Sequence, residues 1–142
     1  TSKKLEYMHI FFEMKDGNYI AFFDDPHNAP PDFFKDMNGF DSHVAVQVEN
    51  LDDLKKIKKN LDNIGWSSFE IDHDFVRSLY IFDPNGIQLE FTCRAIDHDE
   101  IMQEDANKAH KELEKWTSRT RDLKIKSFGE EALNLRSKNT IK

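Results

Sequence analysis

Two apolar runs flank a short turn in the second half of the chain, and this arrangement restricts the fold more than any other feature. The runs are "RSLYIF" and "IQLEFTC", and the turn between them is "DPNG", which begins at Asp83. Proline is favoured at the second position of such a turn, and the residues of "DPNG" are typical turn formers. The pattern therefore predicts an antiparallel hairpin. Alternation along its second strand places Glu90 on a polar face with Gln88 and Thr92.

A strand, a helix and another strand precede this hairpin. In "SHVAVQV" the valines share one face and His43 lies on the other. The next segment is predicted to be a helix that packs on the valines, with Asn50 as N-cap and Gly65 as its end. Its apolar residues recur at helical spacing: Leu51, Leu54, Ile57, Leu61 and Ile64. A strand at "WSSFEID" completes a β-α-β-β-β unit.

The rest of the chain is expected to add a hairpin before this unit and a helix after it. The hairpin turns at Asp16-Gly17, a dipeptide that accepts positive φ angles. Asp97 and Glu100 are predicted to cap the C-terminal helix. We expect a domain over residues 1–95, made of a partial first module (1–25), a linker (26–41) and a second module (42–95), and then a helical extension over 96–142.

Charge and composition exclude several classes of partner. The net charge of −7 opposes binding to nucleic acid or to an anionic membrane surface, because both require positive charge. The longest apolar runs have only a few residues, against about 20 needed to span a bilayer. The single cysteine, Cys93, excludes a disulfide framework and is compatible with a reducing cytoplasm, the predicted location.

His43 and Glu90 are candidate metal ligands, because the faces that bear them are left to line a cavity. An imidazole and a carboxylate on adjoining strands suit a divalent first-row metal. The spacing alone favours the simpler interpretation, in which Glu90 is a solvated strand residue and His43 an ordinary edge histidine.

The stretch from Ile71 to Glu90 resembles the signature of extradiol ring-cleavage dioxygenases, which belong with the glyoxalases and bleomycin resistance proteins to the vicinal oxygen chelate superfamily. The signature positions are occupied here by Ile71, His73, Leu79, Tyr80, Asp83, Pro84, Gly86 and Glu90. The resemblance implies an α+β fold in which paired β-α-β-β-β modules form a curved mixed-sheet metal cup. The first module is shortened at its N-terminus, and a C-terminal helix is added.

The same resemblance implies roles for four residues. Glu90 and His43 would be metal ligands. His73 would be an acid/base near bound oxygen, and Tyr80 would form a hydrogen bond with a substrate oxygen or a reacting intermediate. "KDGNYIAFF" can be aligned with "PNGIQLEFT", which places Ala21 at the position of Glu90. Glyoxalase-type sites have a glutamate in both modules, so Ala21 favours a three-ligand Fe(II) site, with Mn, Zn or Ni as alternative metals.

By resemblance, the chain is expected to be an Fe(II)-dependent oxidoreductase that cleaves a small aromatic diol with dioxygen. The alternatives are a glyoxalase-like isomerase, lyase or thiol transferase, and a non-enzymatic drug-sequestering protein. The family's first strand, with its histidine ligand, is missing from "TSKKLEYMHIFF", so either the chain is truncated or its site is incomplete. His9 and His27 are poor substitutes because they lie in a different strand and in the proline loop. A second copy in a homodimer could donate the missing ligand.

Overall fold

The computed structural model describes residues 6–27, 39 and 42–133. The chain divides into two compact units, Thr1–Arg94 and Ala95–Lys142. The first unit contains, in chain order, β1 (Met8–Glu13), β2 (Tyr19–Asp24), β3 (His43–Gln47), α1 (Leu51–Asn63), β4 (Phe69–Asp72), β5 (Val76–Phe82) and β6 (Gln88–Arg94). The second unit contains α2 (His98–Phe128). The predicted α+β class and C-terminal helix are therefore confirmed, whereas most of the predicted linker lies outside the described residues and the exact domain bounds stay a prediction.

The strands of the first unit form two sheets. β1 and β2 pair antiparallel around the turn at Asp16, as predicted. The other four strands form one mixed sheet in the order β3-β6-β5-β4, in which β3 runs parallel to β6 and the other neighbours are antiparallel. Asp83 closes the turn between β5 and β6, because its Oδ1 accepts from the backbone N–H groups of Asn85 at 2.9 Å and Ile87 at 2.8 Å.

α1 covers one face of the four-stranded sheet. The side chain of Asn50 caps its start by accepting from the N–H groups of Asp52 and Asp53, both at 3.0 Å. Its apolar stripe packs against β5 and β6. The core cluster and the residues packed on it are Leu54, Leu79, Cys93, Val48, Ile57, Leu61 and Phe91. The helix therefore leaves the opposite face of the sheet for the polar residues.

Three details differ from the sequence predictions. Ile64 is exposed because α1 ends at Asn63, so its side chain leaves the apolar stripe. Val44 is exposed because it lies on the edge strand β3, whereas α1 packs mainly on β5 and β6. Asp97 precedes α2 without a side-chain capping bond, since its φ of −102° and ψ of 15° are not the extended geometry of a capping residue.

Within the described residues, no helix combines the length and apolar character needed to cross a lipid bilayer.

Candidate active site

The sheet face opposite α1 brings residues from three neighbouring strands together. Glu90 on β6 lies directly across from Tyr80 on β5 and from Ala45 on β3. Because side chains alternate along a strand, His43 shares this face with Ala45, and Ser78 shares it with Tyr80. We call this surface the site face. It contains the two candidate ligands, His43 and Glu90, and the tyrosine that the sequence singled out.

Glu90 is held by two partners, one at each carboxylate oxygen. The hydroxyl of Ser78 donates to Oε1 at 2.5 Å, and Nε2 of His43 lies 2.9 Å from Oε2. Glu90 is only 8% exposed. Burial of a carboxylate is costly unless it is paired and hydrogen-bonded, so these contacts explain how the sheet accommodates it.

Ser78 is the residue of this face that sequence reasoning missed. It is 1% exposed, and its Oγ also lies 3.1 Å from Oγ1 of Thr92, the residue directly opposite on β6. The signal was present in "VRSLYIF", where Ser78 is the small polar residue two positions before Tyr80 and therefore on the same face. Ser78 and Thr92 together link the middle of β5 to the carboxylate.

His43 lies where the site face meets solvent. Its side chain is one-third exposed, at 33%, whereas that of Glu90 is nearly covered, at 10%. The centre of the imidazole ring is 5.8 Å from the ring centre of Tyr80. The imidazole therefore lies beside both the carboxylate and the phenol, and its exposed part can be reached from outside.

His73 and Tyr80 form a second pair on the same face. Nε2 of His73 is 2.7 Å from the phenol oxygen of Tyr80. His73 ends up there because the chain turns tightly after β4: its N–H donates to the carbonyl of Val76 at 3.0 Å, and Asp74 has a φ of 66°. The ring of Phe69, the residue directly across from Tyr80 on β4, stacks on the phenol ring with 5.0 Å between ring centres.

The surroundings of Tyr80 keep its phenol protonated. Burial raises the pKa of Tyr80 above its ordinary value, and the neighbouring Glu90 carboxylate raises this pKa further. A neutral phenol retains an O–H that can donate to Nε2 of His73. Tyr80 and His73 can therefore share a hydrogen bond in which the phenol keeps its proton.

The residues present fit part of a metal site. Imidazole nitrogen and carboxylate oxygen are atoms that would hold a divalent first-row metal, and Nε2 of His43 and Oε2 of Glu90 lie 2.9 Å apart, which is the ordinary spacing of a direct ion pair or hydrogen bond. No third histidine, cysteine or carboxylate joins them anywhere in 6–27, 39 or 42–133. His9 lies on β1 with its ring 4.0 Å from that of Phe23, and it does not substitute for the missing ligand.

The fold is shared with solved structures of known type. No protein-family model and no curated protein matches the chain by sequence. The crystal structure of a glyoxylase/bleomycin resistance protein/dioxygenase domain from Frankia sp. EAN1pec superposes with a TM-score of 0.54 over 66% of this chain and 72% of that chain, at 19% identity. The chain has the glyoxalase/dioxygenase fold.

A second match of this glyoxalase/dioxygenase fold is weaker. The genomically encoded fosfomycin resistance protein of Listeria monocytogenes has a TM-score of 0.44 and 15% identity, with 66% of this chain and 76% of that chain covered. At these identities the likeness concerns the fold alone. The match to the Frankia structure confirms the predicted fold, whereas the extradiol branch and the roles of the four residues stay predictions.

Proposed function

We propose that the chain carries the site of a metal-dependent ring-cleaving dioxygenase of the extradiol type, acting on a catechol-like diol. One observation carries the proposal: His43, Glu90, His73 and Tyr80 meet on one face as two close pairs, at 2.9 Å and 2.7 Å. The β4–β5 turn brings His73 to Tyr80 and the β5–β6 hairpin sets Tyr80 opposite Glu90, whereas His43 comes from the separate strand β3. An exposed polar face alone does not require that Glu90 be buried, at 8% exposure, against His43.

In this proposal, Glu90 and His43 hold Fe(II), and Ser78 fixes the direction of the carboxylate. A bound Fe(II) would bring the diol and dioxygen to adjacent positions, which makes their reaction effectively intramolecular. Because Ser78 donates to Oε1, Glu90 would bind the metal through Oε2, and His43 would bind it through Nε2. The third ligand would come from outside the described residues, and a second copy of the chain in a homodimer is the source we favour.

His73 and Tyr80 would handle the proton and position the substrate. The neutral phenol of Tyr80 can donate to a substrate oxygen, and His73, 2.7 Å away, can accept or return a proton through Nε2. Phe69, Ile71 and Phe82 lie on the same face and are between 40% and 45% exposed. They offer apolar surface for an aromatic ring beside the polar groups.

The test is metal content and oxygen consumption. The protein is loaded anaerobically with Fe(II), desalted and analysed for iron, and oxygen uptake is then followed with catechol. Glu90→Ala should lose both the iron and the uptake. Glu70→Ala is the matched control, because Glu70 is an exposed strand glutamate on the opposite face, and it should keep both. Iron binding that is equal in the two variants would rule out the proposed site.

A non-enzymatic binding protein is the second candidate, and the exposed apolar side chains on the site face favour it. In that case a small aromatic ligand would rest on Phe69 and Phe82 without any metal. Calorimetric titration of chelator-treated protein with catechol separates the two functions. Binding that is weakened by Phe82→Ala and unaffected by Glu90→Ala would support the binding protein, whereas a requirement for Fe(II) would support the enzyme.

A further inference from the structure

α2 is long and has no buried residue. It runs for 31 residues, and none of its side chains is buried. Helices of this kind gain most of their stability in proteins from packing of an apolar face rather than from helix propensity. A helix of this length that leaves an apolar stripe exposed would therefore be stabilised by packing that stripe against a partner.

The stripe follows a coiled-coil spacing. Apolar and small residues recur at alternating intervals of four and three along one side: Met102, Ala106, Ala109, Leu113, Trp116, Thr120 and Leu123. The four large apolar members are between 43% and 65% exposed. Thr120 does not interrupt the stripe, because its hydroxyl already donates to the carbonyl of Trp116 at 2.8 Å. This spacing is the one that lets two helices interlock their side chains.

The charges beside the stripe determine which partner fits. On one flank, at successive seven-residue intervals, lie Asp105, Glu112, Arg119 and Lys126. The flank is acidic in the first half of the helix and basic in the second half. Flanking charges of a coiled coil set the choice of partner and its direction. An identical helix that runs in the opposite direction presents basic residues to the acidic half and acidic residues to the basic half.

We propose that α2 pairs antiparallel with α2 of a second copy of this chain, independently of the function proposed above. At the centre of the pair, Leu113 packs on Trp116 of the second copy. Moving outward, Ala109 packs on its Thr120, and Ala106 packs on its Leu123. Glu112 then lies beside Arg119 of the second copy, and Asp105 beside its Lys126. Antiparallel packing also sets the positive end of each helix dipole beside the negative end of the other.

The contacts that these charges make within the helix do not prevent pairing. Glu112 accepts from Lys115 at 2.5 Å, and the guanidinium of Arg119 lies 4.8 Å from the ring centre of Trp116. Exposed pairs of this kind contribute little, so they can be exchanged for contacts across the interface. A parallel pair is disfavoured, because it brings Arg119 close to Lys124 of the other copy.

Disulfide trapping in the full chain tests the direction as well as the contact. Ala109→Cys and Thr120→Cys are made in separate proteins, and the buried Cys93 is left in place. The mixture should form a disulfide-linked dimer under mild oxidation, whereas each variant alone should not. Lys108→Cys mixed with Ser118→Cys is the control, because both positions lie off the stripe. Equal linking in the control, linking of Ala109→Cys to itself, or no linking in the mixture would overturn the proposal.

A charge exchange adds specificity to the test. Asp105→Lys with Glu112→Lys gives an all-basic flank, and Arg119→Glu with Lys126→Glu gives an all-acidic flank. Two partners with the same altered flank should lose about tenfold or more in linked yield, and a basic partner mixed with an acidic one should recover it. If the yield is unaffected by these changes, the helices do not meet along this flank. Circular dichroism of each variant checks that α2 remains helical.

Discussion

Replacing Ser78 with alanine should weaken the fold through the carboxylate of Glu90. The serine hydroxyl donates to Oε1 at 2.5 Å, and both residues are buried. A hydrogen bond to a charged group contributes about 1.5–3 kcal/mol, and a buried acceptor that loses its donor has a desolvation cost of similar size. Alanine removes the donor and leaves only a small gap. We therefore expect the free energy of unfolding to fall by about 1.5–3 kcal/mol.

Urea unfolding measures this change if the signal comes from the right part of the chain. Trp66 belongs to the first unit, and its indole N–H donates to the carbonyl of Phe82 at 2.9 Å, so its fluorescence reports on the sheet. Trp116 on α2 is replaced by phenylalanine in every protein compared. Ser67→Ala is the matched control, because Ser67 is an exposed serine, and its effect should stay within about 0.5 kcal/mol.

A double-mutant cycle identifies the cause of the loss. In a Glu90→Gln background the partner of Ser78 is neutral, so Ser78→Ala should cost only about 0.5–1.5 kcal/mol. A cost for Ser78→Ala no larger than that for Ser67→Ala would show that the serine hydroxyl does not stabilise the fold. An equal cost with and without the charge at position 90 would show that the effect arises from packing alone and not from the charged hydrogen bond.

Three further outcomes follow from the same contacts. Leu79→Ala should lower the free energy of unfolding by about 2–5 kcal/mol, as measured by the Trp66 transition, since Leu79 is fully buried. The folded protein keeps the Tyr80 proton at pH values where the unfolded chain releases it, so the free energy of unfolding should fall as the pH rises above 10.0. Tyr80→Phe should reduce that fall, and the urea midpoint at each pH measures it. Chelator treatment should leave a cooperative urea transition, and added Fe(II) should raise its midpoint in wild type but not in Glu90→Ala.

Much of the second module could be predicted because its signals are local. The "DPNG" turn, the Asn50 cap and the alternation of polar and apolar residues each act within a few residues of one another, and the structure confirms all three. The two apolar positions that failed, Val44 and Ile64, lie where an element is at the sheet edge or has just ended. Local pattern does not report those boundaries, because they depend on how far the helix extends over the sheet.

The contacts of the site could not be predicted from pattern alone because they depend on register. Ser78 reaches Glu90 because it lies two pairs along the antiparallel β5–β6 ladder from Tyr80, which is opposite Glu90, and therefore shares the same face. His43 reaches Glu90 because β3 is parallel to β6 and because Ala45, directly opposite Glu90, has only a methyl group. A shift of β3 by one residue would send His43 to the face of α1. The sequence predicts which side chains share the site face, but only the register of the strands shows which of them are in contact.

The buried polar groups of the site face have partners within the described part of the chain itself. Among the described residues, no buried side-chain nitrogen or oxygen lacks a hydrogen-bond partner. Glu90 in particular has Ser78 and His43, so a metal is not needed to compensate its burial, unlike a structural zinc site whose ligands fold only with the ion. A ligand or metal that binds here exchanges one set of partners for another. The site face can therefore change what it binds while α1 and the apolar side of the sheet continue to hold the fold.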